Sequence, residues 1–129
     1  MRLSLLILSA PYSGQTVTTA LRYAEAAIAG GHEIYRVFFY HDGVLTGSSS
    51  PVLPRDEINL TERWTALAAG HDIDLVVCVS SALKRGVLDQ TEASRYERDA
   101  PSLASGFEIS GLGQLIDACI HSDRMVTFG

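Results

Sequence analysis

Cys78 stands near the end of an apolar run, Ile73 to Val79, inside the stretch DIDLVVCVSSALKRGVLD (Asp72 to Asp89). Two serines, a Lys-Arg pair and a glycine follow it. A thiol attacks as the thiolate, and a helix N-terminus or cationic neighbours favour that form. If the run is a strand and Ser80 or Ser81 caps a helical turn ended by Gly86, free N–H groups point near the sulfur. Lys84 and Arg85, one turn on, add positive potential if they fold back. No carboxylate lies within five residues on the loop side. The same stretch also fits simple packing. Free Cys is among the most buried residue types, and strand alternation sets Asp74, Val76 and Cys78 on one face.

Tyr40, His41 and Asp42 end an earlier apolar segment. His41 is a candidate to polarise the thiol or to contact a carrier protein, although His-Asp-Gly is also an ordinary turn. Ser80 and Ser81 read as caps rather than reactants, and Lys84 and Arg85 as either a steering patch for an acidic carrier or a solvated helix face. Cys119 falls on an apolar helical stripe and reads as inert packing. Trp64 reads as core or subunit interface. The two cysteines form neither a C-x-x-C pair nor a disulfide framework. His32, His41, His71 and His121 have no metal-ligand spacing, so no metal is expected.

Other chemistries fit poorly. A cysteine-dependent phosphatase needs Arg six residues after the cysteine, where Lys84 stands, and a glycine to turn its loop amides inward. The stretch SAPYSGQT (Ser9 to Thr16) lacks the G-K-[ST] ending of a phosphate loop. The first apolar run carries no acidic cluster for Mg²⁺. No Ser-His-Asp arrangement follows from the spacings.

The elements that must position Cys78 alternate in type. Leu3 to Leu8 reads as a strand buried on both faces. Val17, Ala20, Leu21, Ala24, Ala27 and Ile28 recur at helical spacing, and Gly30-Gly31 ends that helix. HEIYRVFFY (His32 to Tyr40) is a second strand, followed by a long loop. Asn59 and Glu62 have capping-box spacing for a helix carrying Leu60, Trp64, Leu67 and Ala68 inward and closed by Gly70. Ile73 to Val79 is the third strand. Residues 89–106 show no clear element, FEIS (Phe107 to Ser110) is a short strand, and RMVTF (Arg124 to Phe128) is the last. Between those two, Leu112, Leu115, Ile116, Cys119 and Ile120 define an amphipathic helix. Such β-α alternation predicts a single-domain three-layer α/β/α fold over residues 1–129 with a mostly parallel sheet of about five strands. Functional groups of such sheets gather at the carboxyl ends of the strands, where Cys78 falls.

At 129 residues the chain is long enough for one core without disulfides or metal. A formal net charge of −5 with no basic run argues against direct nucleic-acid binding. The opening MRLSLLILSAPYSG lacks a cleavage pattern and is too short to span a bilayer, so a cytoplasmic chain with no membrane contact is expected.

VFFYHDGV (Val37 to Val44), VVCVSSALKRGVLD (Val76 to Asp89) and SGLGQLIDACIHSDRMVTFG (Ser110 to Gly129) closely resemble the DsrE/TusD branch of the DsrE/DsrF-like sulfurtransferases, in order and at matching spacing. The resemblance spans essentially the whole chain. It implies that Cys78 is the catalytic residue and accepts sulfane sulfur as a persulfide. It further implies a heterohexamer with TusB- and TusC-like (or DsrH- and DsrF-like) subunits, a TusA-like sulfur donor and a TusE/DsrC-like acceptor. The sulfur would serve either tRNA 2-thiouridine formation or sulfur oxidation. Such chemistry needs no metal or organic cofactor. The segments Thr46–Pro54 and Ser94–Gly106 show no firm match and are where partner choice could lie. The competing readings are a non-catalytic structural subunit of the same assembly, with Cys78 idle, and a small phosphate- or nucleotide-binding α/β protein.

Overall fold

The computed structural model describes all residues, 1–129. Apolar segments form the strands β1 (Arg2–Ile7), β2 (Glu33–Phe39), β3 (Asp74–Cys78), β4 (Phe107–Ser110) and β5 (Arg124–Phe128). They make one sheet in the order β4-β3-β2-β1-β5, and every neighbouring pair is parallel. The sheet is therefore wholly rather than mostly parallel. Its strands can be this continuously apolar because both faces are covered.

The covering elements are α1 (Thr16–Ala29), a 3-10 turn (His41–Gly47), α2 (Leu60–His71), α3 (Val79–Lys84), α4 (Gln90–Arg95) and α5 (Gly113–His121). The chain steps from β1 to β4 in one direction across the sheet and then returns past β1 to β5. With right-handed crossovers, that reversal puts α5 on the face opposite α1 and α2. Side-chain parity in β2 agrees. Phe39 meets the ring of Trp64 on α2 edge-on, with centroids 5.8 Å apart. Arg36, of opposite parity, donates to the Gln114 carbonyl (2.9 Å) and to Asp117 (2.7 Å), both on α5. Trp64 is fully buried and belongs to the core.

Three local expectations need correction. The segment after Asp89 contains a helix, α4, whose N-cap Asp89 accepts the Glu92 N–H at 2.8 Å. Asp89-Gln90-Thr91-Glu92 carries the spacing of a capping box, and only the shortness of the six-residue helix hides its periodicity. Helix α2 runs through Gly70 to His71, and Asp72 ends it in the left-handed conformation (φ 53°), which Asp tolerates better than most residues. The long loop after β2 begins with the 3-10 turn, whose Gly43, Val44, Thr46 and Gly47 are buried.

The rotation of α5 also differs from expectation. Of its apolar positions, Leu112, Ile116, Cys119 and Ile120 are exposed, whereas Ala118 is buried and Leu115 half-buried. The cause is Arg36, which is 7% exposed and needs partners. It finds Asp74 on one side (3.0 Å) and Asp117 on the other, and Tyr35 donates to the same Asp117 carboxylate at 2.8 Å. Turning Gln114 and Asp117 toward the sheet turns the apolar stripe outward. Cys119 is thus a surface thiol and not a packed one.

Candidate functional site

Strand β3 ends at Cys78 and α3 begins at Val79, with no loop residue between them. Cys78 itself is the N-cap residue, with extended backbone (φ −63°, ψ 127°). This corrects the assignment of the cap to Ser80 or Ser81, which instead lie in the first turn. The consequence favours reactivity. The N-cap side chain is the one that faces the unpaired N–H groups of the second and third helical residues, here Ser80 and Ser81. The neutral thiol makes no full capping hydrogen bond. Sγ lies 3.5 Å from the Ser80 hydroxyl.

Burial by itself pushes the Cys78 thiol up, because it disfavours the charged form. The Ser80 hydroxyl, the Ser81 amide and hydroxyl, and the Ser80 amide act the other way and prevail, so Cys78 titrates below an ordinary thiol. The residue is 2% exposed. Its neighbour Ser80 is exposed, so the sulfur lies just beneath the surface. In register, Cys78 stands beside Ser110 of β4, and the preceding Val77 stands beside Phe39 of β2. The carboxyl ends of β2 and β4 therefore flank it.

The other candidates divide. His41 comes to the same edge, yet its imidazole stacks on Tyr40 with centroids 4.1 Å apart and makes no hydrogen bond to the thiol. Its backbone N–H donates to the Ser81 hydroxyl at 3.1 Å. Arg85 turns to Asp42, with Nε 2.8 Å from Oδ1, and donates through Nη1 to the Ser81 carbonyl at 3.1 Å. Lys84 is exposed and forms no ion pair. The cationic pair therefore does not fold back on the sulfur as a unit. What residue reading missed is the Asp42–Arg85 pair and the role of Ser81 as the point where the 3-10 turn meets α3. The only hint was the pair of turn signals, His-Asp-Gly and Lys-Arg-Gly. No group of three or more His, Cys, Asp or Glu side chains is arranged to hold a metal.

The profile of the DsrE/DsrF-like family matches residues 1–128. The chain belongs to the DsrE/DsrF-like family. Within this DsrE/DsrF-like chain the match covers every element around Cys78. Its relatives include the DsrE protein of Allochromatium vinosum, 46% identical over 129 residues that cover 100% of this chain and 99% of the relative. A sulfurtransferase TusD homolog of Pseudomonas aeruginosa is 45% identical over 129 residues, covering 100% and 98%. The sulfurtransferase TusD of Enterobacter sp. is 41% identical over 128 residues, covering 99% and 100%. Among solved structures, the ychN protein of E. coli superposes with a TM-score of 0.76 over 99% of this chain and 100% of that chain, at 21% identity. That likeness establishes the fold. No helix is long and apolar enough to cross a membrane.

Proposed function

We propose that this chain is a sulfurtransferase of a sulfur relay and that Cys78 carries the sulfur as a persulfide. The observation that carries the reading is the thiol at the N-cap of α3, held below its ordinary pKa by the serines of the first turn. Full-length relatives named as sulfurtransferases support it. In the reaction the Cys78 thiolate attacks the outer sulfur of a protonated donor persulfide. The donor's S–S bond breaks, the donor leaves as a thiolate, and Cys78 holds –S–SH with the proton that came on the outer sulfur. Delivery is the same exchange in reverse roles, with an acceptor thiolate attacking the outer sulfur. No net oxidant is needed, and lowering the thiol pKa raises the fraction present as the attacking thiolate.

The donor would be a TusA-like carrier and the acceptor a TusE/DsrC-like protein, with TusB- and TusC-like (DsrH- and DsrF-like) subunits completing a cytoplasmic heterohexamer. Leu112, Ile116 and Ile120 on α5, exposed to 45%, 60% and 71%, supply an apolar stripe suited to subunit contact. The sulfur would go either to sulfur oxidation or to tRNA thiolation, and relatives named as sulfurtransferases DsrE and TusD support the transfer common to both.

The burial of Cys78 favours a second reading, a structural subunit with an idle thiol. Intact mass after brief incubation with a sulfane-sulfur donor separates the two. One added sulfur, reversed by reductant and lost in Cys78→Ser but not in Cys119→Ser, is expected. No addition, or addition that follows Cys119, would sink the relay role of Cys78.

A further inference from the structure

The 3-10 turn His41–Gly47 leaves the carboxyl end of β2, at the sheet edge that also holds Cys78. Gly43 packs directly on the Ile7 carbonyl at the end of β1. The far end of the turn, Gly47, lies against the side chains of Val77 and Phe107, on the sheet face opposite Cys78. Two bonds then fasten this turn to α3, the helix that begins at the thiol, and a third, inside α3, holds the Arg85 side chain in place. The His41 N–H donates to the Ser81 hydroxyl (3.1 Å), Arg85 pairs with Asp42 (2.8 Å), and Arg85 also donates to the Ser81 carbonyl (3.1 Å). Ser81, 4% exposed, is therefore gripped at both its polar ends. His41 has a left-handed backbone (φ 51°), a conformation that persists where the surroundings impose it.

We propose that Asp42 and Arg85 are positioning residues that latch the 3-10 turn to α3, the helix that Cys78 caps, and so set how readily the start of that helix opens around the thiol and how Ser81 is oriented. The inference rests on the persulfide reading for its purpose, since a carried sulfane sulfur must be shielded between transfers and reachable during them. The chemistry of Ser81 follows from the latch. Its oxygen accepts from the His41 N–H, so its own proton is left to be donated, and the Ser81 hydroxyl is among the groups that favour the Cys78 thiolate. The ion pair is on the solvent side, with Asp42 61% and Arg85 27% exposed. Exposed pairs are weak, which makes the latch one that a docking partner can open. The charged and titratable groups on the flanking elements are Tyr40 at the end of β2, His41 and Asp42 on the turn, Lys84 and the C-cap Arg85 of α3, and Glu108 on β4.

The test is the rate of iodoacetamide alkylation of Cys78 across pH, in a Cys119→Ser background that removes the competing surface thiol. Asp42→Ala, Arg85→Ala and their combination are compared with the parent. Each single variant is expected to raise the limiting rate at high pH about fivefold, the change in an opening equilibrium that one partly exposed pair supports. Each is also expected to move the alkylation midpoint upward, toward an ordinary thiol. The double variant should match the singles, because both changes undo one latch. Asp42→Asn and Arg85→Lys keep side-chain volume and guard against a folding defect, and Arg85→Lys should retain part of the parent behaviour. An unchanged limiting rate and midpoint in these variants, or effects that multiply in the double variant, would overturn the latch. Alkylation uses no sulfur donor. Failure of persulfide uptake by the parent therefore refutes the relay reading without touching this result, and the converse also holds.

Discussion

Replacing Gly43 by alanine would set a methyl group against the Ile7 carbonyl, 2.9 Å from its carbon and closer still to its oxygen. Carbon atoms pack best at about 3.5–4.0 Å, so the overlap is roughly 0.6 Å or more. Both partners are backbone, and no side chain can swing aside. The Ile7 oxygen is also the acceptor for the Tyr40 N–H at 2.9 Å, so moving it away strains the step from β2 into the turn. Overpacking of about 2 kcal/mol, added to about 1 kcal/mol for a weakened buried hydrogen bond, predicts a loss of about 3 kcal/mol. For a chain of this length that lowers the melting temperature by about 11 °C. Gly70 supplies the control. It lies inside α2 with nothing within 4 Å of an added methyl, so Gly70→Ala should gain about 0.5–1 kcal/mol. Urea denaturation of both variants, with melting curves, measures the two signs. A Gly43→Ala protein within about 1 kcal/mol of the parent would refute the reasoning that the turn is pressed onto β1.

Three further outcomes are expected. Ser80→Ala and Ser81→Ala each remove a group that favours the thiolate, so the Cys78 midpoint, followed by thiolate absorbance, should rise toward that of a free thiol. An unmoved midpoint in the double variant would remove the serines as its cause. Asp117 is held below the usual carboxylate range by the Tyr35 hydroxyl and then by Arg36. Because its folded pKa is depressed, its contribution is present above the unfolded carboxylate pKa and is lost as pH falls through the folded one. Asp117→Asn should therefore be less stable than the parent at neutral pH, with the gap narrowing toward about pH 3, and equal gaps in urea titrations at both pH values would contradict this. Finally, a bulky charged disulfide reagent should modify exposed Cys119 in a fast phase and buried Cys78 in a slow one. A fast phase that survives in Cys119→Ser would contradict the burial of Cys78.

Much of this arrangement is legible in the residues because it is local. Periods of two and of 3.6 residues, glycines after helices and an Asn-to-Glu cap mark β1, α1, β2, α2 and β3 within a residue or two, and Asn59 does accept the Glu62 N–H. Alternation of those elements is enough to predict a parallel sheet, and a parallel sheet is enough to bring Cys78 to its carboxyl edge. The tightness of the β3–α3 junction was less legible. Whether a strand passes into a helix with no intervening residue depends on where the next helix packs, and that decides whether cysteine or serine occupies the cap.

What the tertiary structure alone decided are the pairings between residues far apart in the chain. Asp42 meets Arg85 across 43 residues, and Arg36 meets Asp117 across 81. The second pairing shows why pattern reading fails there. The apolar stripe of α5 predicts that Cys119 is packed, but a single arginine buried in β2 demands carboxylate and carbonyl partners, and satisfying it rotates the helix. Desolvating an unpaired guanidinium costs more than exposing a few apolar side chains, so the charge sets the rotation of α5 and the stripe is left at the surface.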